Sequence, residues 1–541
     1  MQNQSLLCPL YPFQREFLAL FHFFRSRFRQ HLFGVFLFFL FAALCGGLPQ
    51  DCRGAEAAGL ASRWPVCEPG GVSQKISFVH VSDMHARYNP EADGASPMAR
   101  VRGFVDQVWE ENPYTIFSNG GDDYEKGSIA EPLSRGRATR QVVQAMGYDV
   151  RTIGNHDFAW GLDELLAYSH DATAVVLATN TGMATKTGAG VSEPGWVDYA
   201  EVMVGCVRIG FFGLLSRPWN ENGEQYDGPY YEDHPELRTD FNYAAVARRI
   251  VQGHRRDVDL LVLVSHLGVH DDIRLAEEVD GIDLILGGHS HTTMTQPHRV
   301  GNTIIVHTGS HAEYLGRFDL DYDLHNRRIT GSRLALVANE EGAAPVDEAV
   351  SREIAGILSP YREAIDEDFV RLGAGRDKQE MARIGARAAV ETLGADAVFI
   401  SPHATWKGGA PGGLTRQAIL DIFPVEREPS ASPGTSSLYL LRATGADLLH
   451  VRASLPDFVY EGVERIDPEA TYTIALPKAQ AGRQQHSFGR RISLAAPVPA
   501  GELWEIVGKF GYAQNNANLA LDDRAGEKRD DLLAVVSARG R

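Results

Sequence analysis

The sequence has 541 residues, of which 44% are hydrophobic and 23% charged, so it is long enough for two globular domains and too apolar for a disordered or fibrous protein. Its formal net charge of −18 argues against a nucleic-acid polymer as partner, because such partners are bound by clustered Lys and Arg. The acidity mainly favours solubility, although bound metal ions could still hold a phosphate locally.

The first 57 residues have the pattern of a leader segment. Arginines at positions 25, 27 and 29 precede an apolar run at 32–44, which is shorter than the roughly 20 residues of a membrane span. This pattern predicts a signal peptide with Ala55-Glu56-Ala57 as the cleavage site, and an uncleaved membrane anchor is the alternative. We therefore expect an exported protein, periplasmic or extracellular, with membrane attachment through the N-terminus if the segment is retained.

Of the five cysteines, Cys67 and Cys206 lie clearly inside the mature chain. No C-x-x-C pair occurs, so neither a zinc ribbon nor a redox dithiol is predicted. A disulfide is compatible with export, but the sequence does not assign its partners.

Apolar strands alternate with amphipathic helices after residue 74. Strands are predicted at 75–83, 114–118, 149–153, 174–180, 207–215, 260–266, 282–288, 303–309, 315–320 and 333–337, and helices at 96–111, 137–146, 162–168 and 243–254. This alternation indicates βαβ units and a largely parallel sheet. Residues 217–240 are polar, aromatic and rich in turns, and we expect them to form a surface insertion that borders a site.

Side chains that commonly bind metals follow five of these strands, where each strand ends. They are Asp83 and His85; Asp122 and Asp123; Asn155, His156 and Asp157; His266; and His289 and His291. Residues two apart in an extended segment point to the same side, so each such pair can reach one ion. Because ligands of parallel α/β sheets bind at the carboxyl ends of the strands, one pocket can collect all five segments. His307 and His311 are expected to be structural or to line the pocket.

The types of these side chains narrow the choice of metal. Imidazole, carboxylate and amide oxygen without thiolate favour divalent manganese, zinc, iron or magnesium. Two such ions close together can activate a water and neutralise the charge that develops on a phosphate. The sequence therefore predicts a polynuclear metal site suited to phosphate chemistry.

A small, polar, proline-containing stretch at 338–345 predicts a domain junction. The expected division is a leader at 1–57, a catalytic domain at 72–338, a linker and bridging helix at 339–366, and a smaller second domain at 367–541. In the last of these a helix is predicted at 381–393 and a strand at 397–400.

The ligand segments occur in the order Asp-x-His, Gly-Asp, Gly-Asn-His-Asp, a lone His and Gly-His-x-His. In this the sequence resembles the calcineurin-like metallophosphoesterases, and among them the exported 5'-nucleotidase and 2',3'-cyclic phosphodiesterase family. The resemblance is strong over about residues 75 to 335 and weaker at 413–424 and 444–449, which are similar to segments of that family's C-terminal domain. It implies an α/β fold, an αββα sandwich followed by a smaller α/β C-terminal domain.

The resemblance also implies roles for the ligand residues. Two divalent ions are implied, with Asp83, His85 and His291 as ligands of one and Asn155, His266 and His289 as ligands of the other. A bridging aspartate completes both; Asp122 is slightly favoured over Asp123, which has the family's usual spacing to Gly127. His156 is implied to act near the leaving-group oxygen as a charge stabiliser or general acid.

Two departures from the family pattern affect the active site. Many members carry an Asp three residues after the catalytic His to orient it, where this chain has Ala159, and Asp157 is the neighbouring carboxylate. The family's Asn-x-Gly-x-x-Arg substrate motif is missing, with residues 401–407 roughly in its place. Candidates for contacting a base or a phosphate are Trp406, Lys407 and Phe488, with Phe510 and Tyr512 also available.

These observations predict an exported two-metal phosphoesterase that hydrolyses 5'-nucleotides or cyclic nucleotides with a metal-activated water. The partner is therefore a small phosphoester, and no nucleic-acid polymer is expected. The alternative is a metal-binding or adhesion protein that keeps the fold without turnover. Neither the metal's identity nor the oligomeric state follows from the sequence.

Overall fold

The computed structural model describes residues 63–67, 70–171, 173–184, 194–219, 225–425, 436–482, 484 and 488–523. The predicted leader at 1–57 lies outside these residues. All of the described residues belong to one compact unit, residues 59–541. No helix in the described ranges is long and apolar enough to cross a membrane.

Sheet A contains the first strands of the chain. Its six strands lie in the order Arg328–Ala338, Tyr314–Asp323, Ser73–Val81, Thr115–Asn119, Val150–Thr152 and Val175–Leu177. The last four strands are parallel to one another. Tyr314–Asp323 is antiparallel to both of its neighbours, Arg328–Ala338 and Ser73–Val81. The connections between its parallel strands contain the helices Pro97–Glu111, Ala130–Ser134, Arg137–Met146 and Leu162–Ser169, as parallel pairing requires.

Sheet B is built from the middle of the chain. Its strands lie in the order His298–Val300, Thr303–His307, Leu284–Gly287, Leu260–His266, Val207–Leu215 and Ala200–Val204. The four inner strands are parallel, and each edge strand is antiparallel to its neighbour. Leu260–His266 is buried along its whole length, which explains its continuous apolar sequence.

The two sheets pack face to face. Phe78 and Ile116 of sheet A share a core with Val262 and Leu284 of sheet B. Helices Pro97–Glu111 and Arg137–Met146 belong to a second core on the outer side of sheet A. Helices Tyr243–His254 and Val269–Glu278 contribute to a third core, on the outer side of sheet B. These four layers, helix, sheet, sheet and helix, confirm the predicted αββα class.

A third, five-stranded sheet follows in the C-terminal part of the chain. Sheet C has the strands Val459–Gly462, Ala397–Ile400, Thr471–Pro477, Ser437–Thr444 and Val498–Glu502, in that order. The helices of this part are Lys378–Leu393, Arg416–Ile422, Gly445–Ser454, Lys478–Gly482 and Leu503–Asn516. Two hydrophobic cores of its own lie against this sheet. The second, smaller α/β part is thus as predicted, whereas the predicted domain boundaries remain predictions.

The segment predicted to bridge the two parts contains helix Glu348–Leu358, a 3₁₀ turn Ser359–Tyr361 and helix Arg362–Asp366. Asp347 caps the first helix by accepting from the N–H groups of Ala349 and Val350. The apolar side of that helix packs into the outer core of sheet A.

The region predicted as a surface insertion is partly buried. The ring of Tyr230 stacks on Phe158 with 3.9 Å between ring centroids, and the Tyr231 hydroxyl donates to the Phe158 carbonyl. Strand Leu237–Thr239 of this region pairs with Thr181–Met183 in a small two-stranded sheet. A second two-stranded sheet, Val370–Leu372 with Gly412–Leu414, lies in the C-terminal part of the chain. Tyr230 and Tyr231 are therefore core residues.

Cys67 and Cys206 form a disulfide with their Cα atoms 4.5 Å apart. Cys206 lies in the tight turn between strands Ala200–Val204 and Val207–Leu215 of sheet B. The bond therefore ties the chain just before sheet A to an edge hairpin of sheet B, and it closes a sequence separation of 139 residues.

Candidate metal centre

The predicted ligands lie where strands of both central sheets end. Asp83 and Asp122 follow strands of sheet A, whereas His266 ends a strand of sheet B and His289 follows another. The His289 N–H donates to both carboxylate oxygens of Asp83, at 3.0 and 3.1 Å. This contact joins the loops of the two sheets, so the site lies at their common edge.

Several of these residues have a left-handed backbone conformation, which is unusual for residues other than glycine. The positive φ angles are 53° at Asp83, 48° at His85, 58° at Asp122, 71° at His289 and 52° at His291. Such conformations cost of order 1–3 kcal/mol each and occur mostly at functional sites. The surrounding fold therefore sustains considerable strain to direct these side chains.

The first group of potential ligands consists of Asp83, His85 and His291, whose ligand atoms lie within 4.8 Å of one another. The Nε2 atoms of His85 and His291 are 3.1 Å apart, and His291 Nε2 is 3.5 Å from Asp83 Oδ1. The Nδ1–H of His85 donates to the Tyr124 carbonyl at 2.9 Å, which leaves Nε2 for the group. Burial lowers the pKa of His85 well below its usual range, which favours the neutral ring that metal binding requires.

The second group consists of Asp122, His266 and His289. His266 Nε2 lies 3.0 Å from Asp122 Oδ2 and 3.2 Å from Asn155 Oδ1, while its Nδ1–H donates to the Gly120 carbonyl at 2.6 Å. Burial opposes a charge on His266, yet the Asp122 carboxylate raises the pKa of His266 to about 10. Burial and the neighbouring His266 lower the pKa of His289 to about 4.

The carboxylates of Asp122 and Asp123 have different neighbours. The Asp122 carboxylate belongs to the second group and also lies within 4.8 Å of the ring nitrogens of His85 and His156. The Asp123 carboxylate instead accepts from Asn119 Nδ2 at 2.9 Å and from the Tyr168 hydroxyl at 2.6 Å. Asp123, predicted as a possible bridging ligand, is therefore in none of the ligand groups, and its carboxylate is hydrogen-bonded to Asn119 and Tyr168 instead.

The donor set fits divalent metal ions. Two ligand atoms that each lie about 2.1 Å from one ion are roughly 3.0–3.4 Å apart at tetrahedral or octahedral angles. Close contacts of 3.0 to 3.5 Å occur between the ligand atoms of both groups. The donors are imidazole nitrogens, carboxylate oxygens and one amide oxygen, a mixture that suits manganese, zinc, iron or magnesium.

His156 lies at the edge of this cluster, with its ring centroid 4.9 Å from that of His85. Its backbone N–H donates to Asp122 Oδ1 at 2.7 Å, which fixes its position relative to the second group. His156 Nδ1 lies 2.5 Å from Glu125 Oε2, and the Lys126 ammonium lies 3.3 Å from His156 Nε2. Burial first and the Lys126 charge second lower the pKa of His156 well below its usual range.

Asp157, predicted as a catalytic residue, faces away from the His156 ring. Its buried carboxylate accepts from the backbone N–H groups of Gly154 at 2.7 Å, Asp123 at 2.9 Å and Asp122 at 3.2 Å. Burial, together with the Asp123 and Asp122 charges, raises the pKa of Asp157 well above its usual range. Asp157 thus holds two ligand loops together, and the carboxylate beside His156 is Glu125.

The sequence did not single out Glu125 or Lys126. Both follow the Gly-Asp segment within three or four residues, but nothing in their spacing indicates the direction of their side chains. Each has a left-handed backbone, with φ of 70° and 69°, and this local fold aims them at His156.

Among the predicted substrate-binding residues, Trp406 is the one beside the cluster. Its side chain is 40% exposed, its ring centroid lies 6.5 Å from that of His311, and Lys126 Nζ lies 5.9 Å from its ring. Lys407 forms an ion pair with Asp421 at 2.9 Å. Phe488 is 5% exposed and packs in a core of sheet C, so it is a structural residue.

Two further residues line the cluster. The His311 ring centroid lies 5.0 Å from that of His85 and 5.2 Å from that of His291. Gln225, from the predicted insertion, has its amide nitrogen 3.2 Å from His289 Nε2. His307 is instead buried and lies 2.8 Å from Asp272. His311 therefore lines the pocket and His307 is structural, which are the two roles the sequence predicted for this pair.

Residues 76–293 match the calcineurin-like phosphoesterase family, a range that contains both groups of ligands. This part of the chain is therefore similar to the calcineurin-like phosphoesterases. A 5'-nucleotidase-related protein from Glossina morsitans morsitans is 25% identical over 364 residues, which cover 59% of this chain and 60% of that relative. The chain thus spans less than two thirds of that relative's length.

Solved structures share the fold over most of the chain. A 5'-nucleotidase precursor from Thermus thermophilus has a TM-score of 0.62 at 17% identity, over 81% of this chain and 97% of that one. The sulfate thiohydrolase SoxB, also from Thermus thermophilus, has a TM-score of 0.57 at 16% identity, over 83% and 95%. Because both identities are low, these likenesses bear on the fold alone.

Proposed function

We propose that the protein is an exported phosphoesterase that hydrolyses 5'-nucleotides or cyclic nucleotides in a centre that holds two divalent ions. The observation that carries this proposal is the position of Asp122. Its carboxylate lies among the ligand atoms of His266 and His289 and also beside those of His85 and His156. A carboxylate shared between two sets of donors is suited to bridge two cations.

The remaining ligands divide between the two ions. Asp83, His85 and His291 would hold one, and Asn155, His266 and His289 the other. When bound, the ions supply a nucleophilic water and neutralise charge on the phosphoryl oxygens. Hydrolysis breaks the ester P–O bond and releases an alcohol and a phosphate, and for a cyclic diester it opens the ring.

His156 and Lys126 supply polar groups next to the ions. With Nδ1–H donated to Glu125, the protonated form of His156 carries a second proton on Nε2, which it can give to the leaving-group oxygen. Lys126, whose ammonium is 3.3 Å from that Nε2, can bind a phosphate oxygen of the substrate.

A nucleotide is favoured as substrate by the half-exposed indole of Trp406 at the edge of the site. An aromatic ring can stack on any base, so base recognition does not require the family's missing motif. The similarity to a 5'-nucleotidase-related protein of Glossina and to a 5'-nucleotidase precursor of Thermus points the same way. Lys407 and Phe488 contribute less, since the first is paired with Asp421 and the second is buried.

Export is supported by the disulfide between Cys67 and Cys206. Disulfides persist mainly in oxidising compartments such as the periplasm or the extracellular space. N-terminal sequencing of the protein recovered from these compartments tests this. A start after residue 57 supports a cleaved leader, and recovery only from membranes with Met1 intact supports an anchor.

The main alternative is a metal-binding or adhesion protein without turnover. It would need no positioned histidine beside the ligands, whereas His156 is held by contacts to Asp122 and Glu125. The fold itself does not choose the reaction, because it is shared with a sulfate thiohydrolase.

A substrate panel tests the proposal. The purified protein, loaded with each candidate metal, is given p-nitrophenyl phosphate, bis-p-nitrophenyl phosphate, AMP, 2',3'-cyclic AMP, glucose 6-phosphate and p-nitrophenyl sulfate. We expect the highest kcat/KM on a nucleotide and no turnover by Asp122→Asn, which excludes a contaminating phosphatase. Bound metal without hydrolysis of any phosphate ester would favour the alternative, and faster sulfate than phosphate hydrolysis would contradict the proposed reaction.

A further inference from the structure

We propose that Glu125 is the positioning residue of His156, and that it replaces from a different loop the carboxylate missing at Ala159. This inference rests on the proposed function. The two residues are 31 positions apart in sequence, so the contact arises only in the folded chain.

The contact has the geometry of an orienting hydrogen bond. Glu125 Oε2 lies 2.5 Å from His156 Nδ1, and the Glu125 side chain is 0% exposed while that of His156 is 13% exposed. A carboxylate buried to this degree requires a partner, and the Nδ1–H of His156 meets this need. The same bond fixes which ring nitrogen carries the proton and keeps Nε2 directed at the side where Lys126 lies.

Glu125 is itself held rigidly. Its backbone has φ of 70°, and its N–H donates to Glu131 Oε1 at 2.7 Å. Glu131 is buried and accepts in turn from the Thr139 hydroxyl at 2.6 Å and from Trp160 Nε1 at 2.9 Å. A side chain supported in this way is preorganised before substrate binds, as an orienting group should be.

The loop is also packed against the first ligand group. A Cβ at Gly127 would lie 2.3 Å from the backbone oxygens of His85 and Ala86, so only glycine allows this approach. The Ser128 N–H then donates to the Ala86 carbonyl at 2.9 Å. The loop that carries Glu125 is thus fixed relative to His85 as well as to His156.

The nearby alternatives do not reach His156 Nδ1. Ala159 is buried and carries only a methyl group, and the Asp157 carboxylate is occupied by backbone N–H groups. Asp122 accepts from the backbone N–H of His156 rather than from its ring. Within the described residues, Glu125 is the carboxylate recorded at hydrogen-bond distance from Nδ1.

The test uses Glu125→Gln and Glu125→Asp, each alone and combined with His156→Ala. Glu201→Gln serves as the matched control, since Glu201 pairs with Arg208 on an edge strand of sheet B. For each variant, kcat and KM on AMP and on p-nitrophenyl phosphate, the metal content and the thermal unfolding temperature are measured.

We expect Glu125→Gln to lower kcat on AMP by roughly 10- to 100-fold, the usual effect of removing a partner that orients a reacting group. KM and metal content should change little, and Glu125→Asp should lose less than Glu125→Gln. The loss should be smaller on p-nitrophenyl phosphate, whose leaving group needs less help from His156. In the His156→Ala background, Glu125→Gln should have no further effect, because it acts through that ring.

Three results would overturn the inference while leaving the proposed function standing. The first is full activity of Glu125→Gln in an enzyme that is otherwise active. The second is an equal loss of activity with and without His156, and the third is a parallel loss of metal; either would make Glu125 a general support of the site. If the unchanged protein and Glu201→Gln both fail to hydrolyse any ester, the proposed function fails, and the inference with it.

Discussion

The Nε2 atoms of His85 and His291 lie 3.1 Å apart although 206 residues separate them in sequence. His85 follows strand Ser73–Val81 of sheet A, and His291 follows strand Leu284–Gly287 of sheet B. The pair exists only when the two sheets are packed, so the centre reports on the fold as a whole. An ion bound there would couple metal binding to the stability of the sandwich.

Exchanging each of the two neighbouring aspartates for asparagine separates the bridging role from a structural one. Asp122→Asn should lower metal content and abolish turnover, because its carboxylate faces both ligand groups. Asp123→Asn should keep the metal and lower stability instead, because it weakens the bonds to Asn119 and Tyr168. Elemental analysis and thermal unfolding of both variants decide this. Metal loss in Asp123→Asn alone would reverse the assignment.

His156→Ala should lower turnover by roughly 10²–10⁴-fold while metal content stays near that of the unchanged protein. The imidazole is lost, but its backbone N–H still donates to Asp122, so the ligands remain in place. Steady-state kinetics on AMP and metal analysis on the same sample provide the measurement. Unchanged kcat would exclude His156 from the chemistry.

Trp406→Ala should raise KM for AMP by roughly 5- to 150-fold, since stacking of one base is worth about 1–3 kcal/mol. KM for glucose 6-phosphate, which has no base, should stay nearly constant. Phe458→Ala is a useful control, because Phe458 packs against a core of sheet C. An equal rise in KM for both substrates would show that Trp406 does not recognise the base.

Removing the disulfide should lower stability without changing the centre. Cys206→Ser should cost roughly 2–5 kcal/mol of unfolding free energy, because the bond closes a long loop in the unfolded chain. Cys67→Ser should have the same effect, and the double variant should be no worse than either. Denaturant unfolding measures this, and additive losses in the double variant would mean that the two residues are not bonded.

Much of the fold followed from the sequence, because the strands of both central sheets are apolar runs bounded by glycine and polar residues. The buried strand Leu260–His266 is an example. The ligand residues could be proposed because they occur directly after such strands. The sequence did not show in which direction each of these side chains points. Neither the left-handed backbone at Asp122 nor the hydrogen bond between Asp123 and Tyr168 has a local sequence signature.

Contacts between segments that are distant in the sequence were still harder to predict. Glu125 meets His156 through a loop whose shape depends on Glu131 and Gly127, and no periodicity reveals it. Phe488 was a reasonable candidate for stacking on a base until its burial in the core of sheet C was known. Tyr230 and Tyr231 of the predicted insertion likewise proved to be buried in a core.

The measurement that tests the central claim most directly is a metal titration of the stripped protein, with turnover of AMP followed at each addition. Manganese, zinc, iron and magnesium are each added in steps to the apoprotein and to Asp122→Asn. The account predicts no turnover without metal, and turnover that rises to a plateau at two ions per chain in the unchanged protein only. Full turnover by the stripped protein, or two bound ions per chain without hydrolysis of any phosphate ester, would contradict it.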